Sequence, residues 1–185
     1  MEEKEKKLGF RRELNVPDGV SVNFTENKII VEKSGKKIEK HFLFGSLKVS
    51  LEDGKVIVTS IRDTKREKTL FGTLKAILNN LYNGTSTDFI YKLKICSGHF
   101  PMNVSISGKE FLIKNFLGEA FPRKIILPDN VSVKIDGEIV NVKSYDKELA
   151  GRTASMIEKL TKIKKRDKRI FQDGVYIIQK HNKNI

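Results

Sequence analysis

A chain of 185 residues has room for one ordinary domain or two small ones, and 38% hydrophobic against 32% charged residues suits folded cores under a strongly solvated surface. The net charge of +13 points to polyanionic partners, because each phosphate contact releases a condensed counterion. The single cysteine, Cys96, excludes an internal disulfide and a multi-cysteine zinc site. No apolar run approaches the ~20 residues of a membrane span, and the start, MEEKEKKLGFRR, has no signal-peptide core; a reducing, cytoplasmic location is the default.

Residues 1–14 read as a flexible charged extension. There Lys4, Lys6, Lys7, Arg11 and Arg12 alternate with Glu2, Glu3, Glu5 and Glu13, so most of the field cancels. A first domain, 15–96, opens on the turn Asn15–Gly19. Val20, Val22 and Phe24 alternate with polar residues as in a half-buried strand. Strands Ile29–Val31 and Ile38–Phe44 follow, separated by the turn Ser34-Gly35. Leu47–Leu51 and Lys55–Thr59 flank Asp53-Gly54, a hairpin signal because both turn residues tolerate positive φ. Thr64 and Glu67 fit a capping box. The next helix places Leu70, Phe71, Leu74, Ile77, Leu78 and Leu81 on one face, with Asn83-Gly84 as its stop. Asp88–Cys96 reads as a strand leading out of this domain.

A second domain, 97–180, begins at the junction Ser97–Pro101. Strands are expected at Asn103–Ser107, Phe111–Ile113 and Lys124–Leu127. Val131–Ile135 and Ile139–Val142 flank a second hairpin turn, Asp136-Gly137. Asp146 is placed to cap a helix with Ala150, Ala154, Ile157 and Leu160 on one face. After the turn signal Asp173-Gly174, Val175–Gln179 closes the domain, and 181–185 form a polar, frayed tail.

The two halves match. VSLEDGKVIV (49–58) reads against VKIDGEIVNV (133–142), and TLFGTLKAILNNL (69–81) against ELAGRTASMIEKL (148–160). The expected fold is therefore α+β, an internal duplication giving two similar small domains, each an antiparallel-rich sheet packed against one main helix. The charge is shared unequally. Residues 1–92 hold 18 Lys and Arg against 13 Asp and Glu, or +5, and residues 93–185 hold 18 against 10, or +8.

Catalytic signals are weak. His41 lies in a strand-like run, His181 in the tail and His99 in the junction, where no spacing ties it to Cys96 as a nucleophile's base. The acidic residues Glu52, Asp53 and Asp136 are explained by turns. There is no phosphate-binding glycine loop, no dinucleotide fingerprint and no metal-ligand cluster; neither a cofactor nor a metal is expected. The strongest functional segment is 162–169, KIKKRDKR, with six cations and one carboxylate in eight positions. Lys164, Lys165, Arg166, Lys168 and Arg169 are candidates for phosphate contact, since loop cations can follow a nucleic-acid backbone and Arg can also stack on a base. A solvated basic loop complementing the carboxyl end of a helix is the alternative. Lys114, Asn115, Arg123 and Lys124, around Phe116-Leu117-Gly118, and His99 are secondary candidates.

Several segments of the second half form a pattern: Gly98-His99-Phe100-Pro101-Met102-Asn103-Val104, Asn115-Phe116-Leu117-Gly118-Glu119 with Arg123, Asp146-Lys147-Glu148-Leu149 with Gly151, and Ile170-Phe171-Gln172-Asp173-Gly174-Val175-Tyr176. In order and spacing this resembles the large-subunit ribosomal protein L-six family in its archaeal and eukaryotic form. The resemblance implies a non-enzymatic constituent of the large ribosomal subunit with two similar α/β domains. It implies binding to large-subunit rRNA, mainly through the carboxyl-terminal domain, near the stalk base and the sarcin–ricin loop. Neighbouring large-subunit proteins and docking translational GTPases would be close by, and no membrane is implied. Where the bacterial form carries a Tyr-Lys-Gly-Lys-Gly-type run, this chain has Lys165-Arg166-Asp167-Lys168-Arg169. From the residues alone, a free basic RNA-binding adaptor or an RNA-modifying enzyme remains the competing reading.

Overall fold

The computed structural model describes residues 9–33, 35–52, 54–181 and 183–185. Its contacts divide the chain into two units, one ending at Thr87 and one running from Asp88 to Ile185. The segment 1–8 of the expected extension, Ser34 and Asp53 lie outside the described residues, although the strands those two turns join are paired, Lys33 with Lys36 and Glu52 with Lys55.

In the first unit, strands β1 (Phe10–Asn15), β5 (Leu47–Glu52) and β6 (Lys55–Ser60) form one antiparallel sheet in the order β1-β6-β5. Strands β2 (Ser21–Thr25), β3 (Lys28–Lys33) and β4 (Lys36–His41) form a second. Residues 10–14, expected to be part of a flexible extension, are thus a strand. Phe10, Arg12 and Leu14 lie on one face, where Phe10 and Leu14 are half-buried and Arg12 is exposed, and on the other face Glu13 reaches both Arg11 (3.8 Å) and Lys55 (3.6 Å). The charged Arg11, Arg12 and Glu13 between the two half-buried positions hid the strand. Helix α1 (Lys65–Ser86) packs on β3, β4 and β5 and buries Leu74, Leu78 and Leu81, and Ile29, Val31, Ile38, Val56 and Val58 are buried in the same unit.

Two expectations about α1 change. Thr64 is its N-cap residue, but the hydroxyl donates to the buried carboxylate of Glu67, which also accepts from Ser46 Oγ at 3.0 Å. Asn83-Gly84 does not stop the helix. Tyr82, Gly84 and Thr85 are buried, and that packing outweighs the ~1 kcal/mol helix penalty of one glycine. The end comes at Thr87, whose N–H donates to the Asn83 carbonyl at 2.8 Å.

In the second unit the main sheet runs β11 (Ser132–Asp136), β12 (Ile139–Ser144), β7 (Phe89–Cys96), β13 (Gly174–Lys180), β14 (Lys183–Asn184). Strands β8 (Asn103–Ser107), β9 (Glu110–Lys114) and β10 (Arg123–Ile126) form a three-stranded sheet. The strand expected to lead out of the first domain is therefore the centre of the second sheet, and the boundary falls at 87/88, ahead of the Ser97 expected from the turn-rich junction. The tail also pairs, Lys183 with Lys180.

Helix α2 (Lys147–Leu160) is capped as expected, Asp146 Oδ1 accepting from Glu148 N–H at 2.8 Å. It buries Ala150, Thr153, Ala154 and Ile157 and lies close on β7. A Cβ at Gly151 would stand 3.2 Å from the Tyr91 hydroxyl. Its carboxyl end fixes β13, with Thr161 Oγ1 accepting from Val175 N–H (2.9 Å) and Glu158 Oε1 from Ile177 N–H (3.1 Å). Phe89, Leu93, Phe111, Ile113, Phe116 and Val140 complete this core.

Candidate nucleic-acid interface

The KIKKRDKR segment leaves the carboxyl end of α2 and ends at Arg169, from which residues 170–173 lead into β13 at Gly174. Ile163 is buried and tethers it, while Lys162 and residues 164–169 are exposed. Lys165 sits at φ 57°, a left-handed turn that projects consecutive cations in different directions. Arg169 is held by Asp167 (2.9 Å), which lowers the Asp167 carboxyl and raises the guanidinium. Lys164, Lys165 and Lys168 remain in solvent.

Arg166 takes part in an ordered column. Its guanidinium lies 4.8 Å from the centre of the Phe171 ring, and the other aromatic partner of Phe171 is His99, stacked at 4.6 Å with the planes 25° apart. His99 Nδ1 in turn meets Asp173 Oδ2 at 2.6 Å. The backbone N–H groups of Gly98 (2.5 Å) and His99 (2.9 Å) donate to Asp173 Oδ1. Asp173 is only 1% exposed. Burial pushes its carboxyl upward, but the hydrogen bonds from His99 and Gly98 outweigh this and hold it below the ordinary 3.8. The junction loop and the basic loop are thereby bolted together through one buried carboxylate. His99, Asn103, Gln172 and Asp173 also line an open cleft of about 1230 Å³.

The secondary candidates separate into different roles. Arg123 grips Glu119 with two bonds (2.7 and 2.5 Å), donates to the Leu160 carbonyl at the end of α2 (2.6 Å) and lies 4.3 Å from the Phe116 ring centre. It staples the turn 115–119 to the helix. The same guanidinium holds the Glu119 carboxyl low. Asn115 adopts φ 60° and donates to the Pro101 carbonyl (3.1 Å). Lys124 pairs with Glu110 across the β9–β10 ladder at 3.2 Å. Lys114 is exposed at the end of β9. Sequence reasoning missed Phe171 and Asp173 as parts of the site. Asp173-Gly174 carried a turn signal, but nothing local revealed a partner 74 residues away.

The class defined here is a duplicated α+β protein whose second copy carries an ordered cationic loop. The model of the family described as Ribosomal protein L6 matches residues 100–174. The chain is 39% identical over 174 residues to the large ribosomal subunit protein uL6 of Methanococcus vannielii, covering 94% of this chain and 96% of that one. It is 38% identical over 169 residues to the large ribosomal subunit protein uL6 of Methanosarcina mazei, covering 91% and 96%. The chain belongs to the ribosomal protein L6 family, as the motifs in its second half implied.

Proposed function

We propose that this protein is a non-enzymatic, structural constituent of the large ribosomal subunit, and that it binds large-subunit rRNA chiefly through its second unit. The observation that carries the reading is the exposed run Lys164, Lys165, Arg166 and Lys168, braced by the Phe171–His99–Asp173 column. A loop ordered before binding loses little entropy on meeting a phosphate backbone. The lysines supply charge and Arg166 a directional contact. Lys114 extends the cationic surface, Lys124 is held by Glu110, and Arg123 and Asn115 shape the surface from beneath. The site on the subunit is the region near the stalk base and the sarcin–ricin loop, with neighbouring ribosomal proteins and docking translational GTPases as surroundings. This finer placement rests on the family's motifs.

The test is a salt titration of binding to large-subunit rRNA. Replacing Lys164, Lys165 and Lys168 with Ala should reduce the log–log salt slope by about 2–3, since each phosphate contact contributes ~0.7–0.9. An unchanged slope, with full incorporation of the triple variant into subunits, would show that the binding face lies elsewhere.

A further inference from the structure

The two copies differ in a way that exposes a vacant strand position on the first. In the second copy β7 is a central strand: β12 lies on one side, Phe89 facing Ser144 and Lys94 facing Ile139, and β13 on the other. In the first copy β1 meets β6 in the same register, Phe10 facing Ser60 and Asn15 facing Lys55. The entry hydrogen bonds correspond too, Val16 N–H to the Gly54 carbonyl (3.4 Å) and Ile95 N–H to the Glu138 carbonyl (2.8 Å). Among the described residues, however, nothing pairs with the far side of β1. The antiparallel alternation turns the N–H and C=O groups of Glu13 and Asn15 to that open side. Their counterparts in β7, Lys92 and Lys94, pair there with Gln179 and Tyr176 of β13.

Side chains tell the same story. Phe89 and Leu93 are buried under α2 and β13, whereas their counterparts Phe10 and Leu14 are only half-covered. The repeat aligns Phe71 and Lys75 of α1 with Ala150 and Ala154 of α2. Two alanines let α2 close on its sheet; Phe71 and Lys75 hold α1 off. The result is a groove of about 430 Å³, floored by Phe10, Leu14 and Phe71, with Arg12 and Lys75 at its rim. Phe10 and Phe71 meet edge to face at 6.1 Å. Neither Arg12 nor Lys75 has a carboxylate partner among the described residues, while the nearby Lys68 is paired with Asp63 at 3.1 Å.

We propose that the open edge of β1 accepts an extended strand from a partner protein, one that carries an acidic side chain between two apolar ones on its groove-facing side, because Phe10, Arg12 and Leu14 share one face of β1. The partner would occupy the position that β13 fills in the second copy. Its backbone would pair with Glu13 and Asn15, its two groove-facing apolar residues would cover Phe10, Leu14 and Phe71, and the carboxylate between them would meet Arg12 and Lys75. Addition of a strand to an exposed edge gains affinity from main-chain hydrogen bonds and specificity from alternate side chains. The inference is independent of the rRNA-binding reading, because it uses the first unit only.

The full-length chain can be tested with two blocked heptapeptides, Ser-Val-Ser-Glu-Ser-Val-Ser (Val–Glu) and the same peptide with Lys in place of Glu (Val–Lys), each of which puts its charge between the two Val on one face. The Val–Glu peptide should slow hydrogen exchange at the Glu13 and Asn15 amides. Glu13→Pro removes one outward N–H at an edge where proline is tolerated, and should weaken the peptide at least about fivefold without altering the circular dichroism. Arg12→Glu with Lys75→Glu should exchange the preference to the Val–Lys peptide. No protection at β1, equal binding of both peptides to the natural chain, displacement of the peptide by oligouridylate, or self-association of the chain through β1 would each overturn the proposal.

Discussion

Asp173→Ala should destabilise the second unit and weaken RNA binding together. The side chain is 1% exposed and accepts three hydrogen bonds, from Gly98 N–H, His99 N–H and the His99 ring, at 2.5–2.9 Å. A bond to an ionised acceptor is worth about 1.5–3 kcal/mol. Gly98 is exposed and His99 is partly exposed, so water recovers part of the loss. The expected net cost is about 2–4 kcal/mol, readable by urea unfolding at pH 7. The carboxyl is held below 3.8 in the fold. Its contribution is therefore present above the unfolded value and is lost as pH falls through the lower folded value. The stability gap between the natural chain and Asp173→Asn should accordingly narrow below about pH 4. Loosening His99 and Phe171 also releases Arg166, so rRNA affinity should fall while the exposed lysines, and hence most of the salt slope, remain. A cost under about 0.5 kcal/mol, or a gap that is constant across the acid range, would refute the idea that this carboxylate fastens the two loops.

Arg123→Ala should cost about 1–3 kcal/mol in thermal or urea unfolding, because it removes the Glu119 fork, the contact with the Leu160 carbonyl and the cover over Phe116 together. Arg123→Lys should recover little of this, since an ammonium cannot make the planar fork. Tyr82→Phe should be neutral or stabilising by up to about 1 kcal/mol in the same measurement. The Tyr82 hydroxyl is buried with no hydrogen-bond partner among the described residues, and burial pushes its pKa up to about 12.

Much of the architecture was legible because it is local. Val22, Ile29, Val31, Val56 and Val58 alternate along strands, and Leu74, Leu78 and Leu81 recur at helical spacing. The mistaken elements were those in which a local signal competed with a distant one. Residues 10–14 looked like part of a charged tail because β1 is an edge strand and keeps Arg11, Arg12 and Glu13 in solvent. Asn83-Gly84 looked like a stop until burial overruled it. Asp88–Cys96 was recognised as a strand, but the chain cannot show which hairpin a strand will join.

The candidate site divides in the same way. Composition alone located the cationic run 162–169, since a high density of lysine and arginine needs no partner to be seen. Sequence also fixed the duplication, its α+β class and the family motifs. Tertiary structure decided which cations face solvent and which are consumed: Arg123 by Glu119 and Leu160, Arg169 by Asp167, Lys124 by Glu110. It also revealed Asp173 as the fastening between two loops and left β1 with an open edge where β7 has β13. Periodicity records how each segment meets its own core, whereas pairing across dozens of residues depends on which surfaces the whole chain brings together.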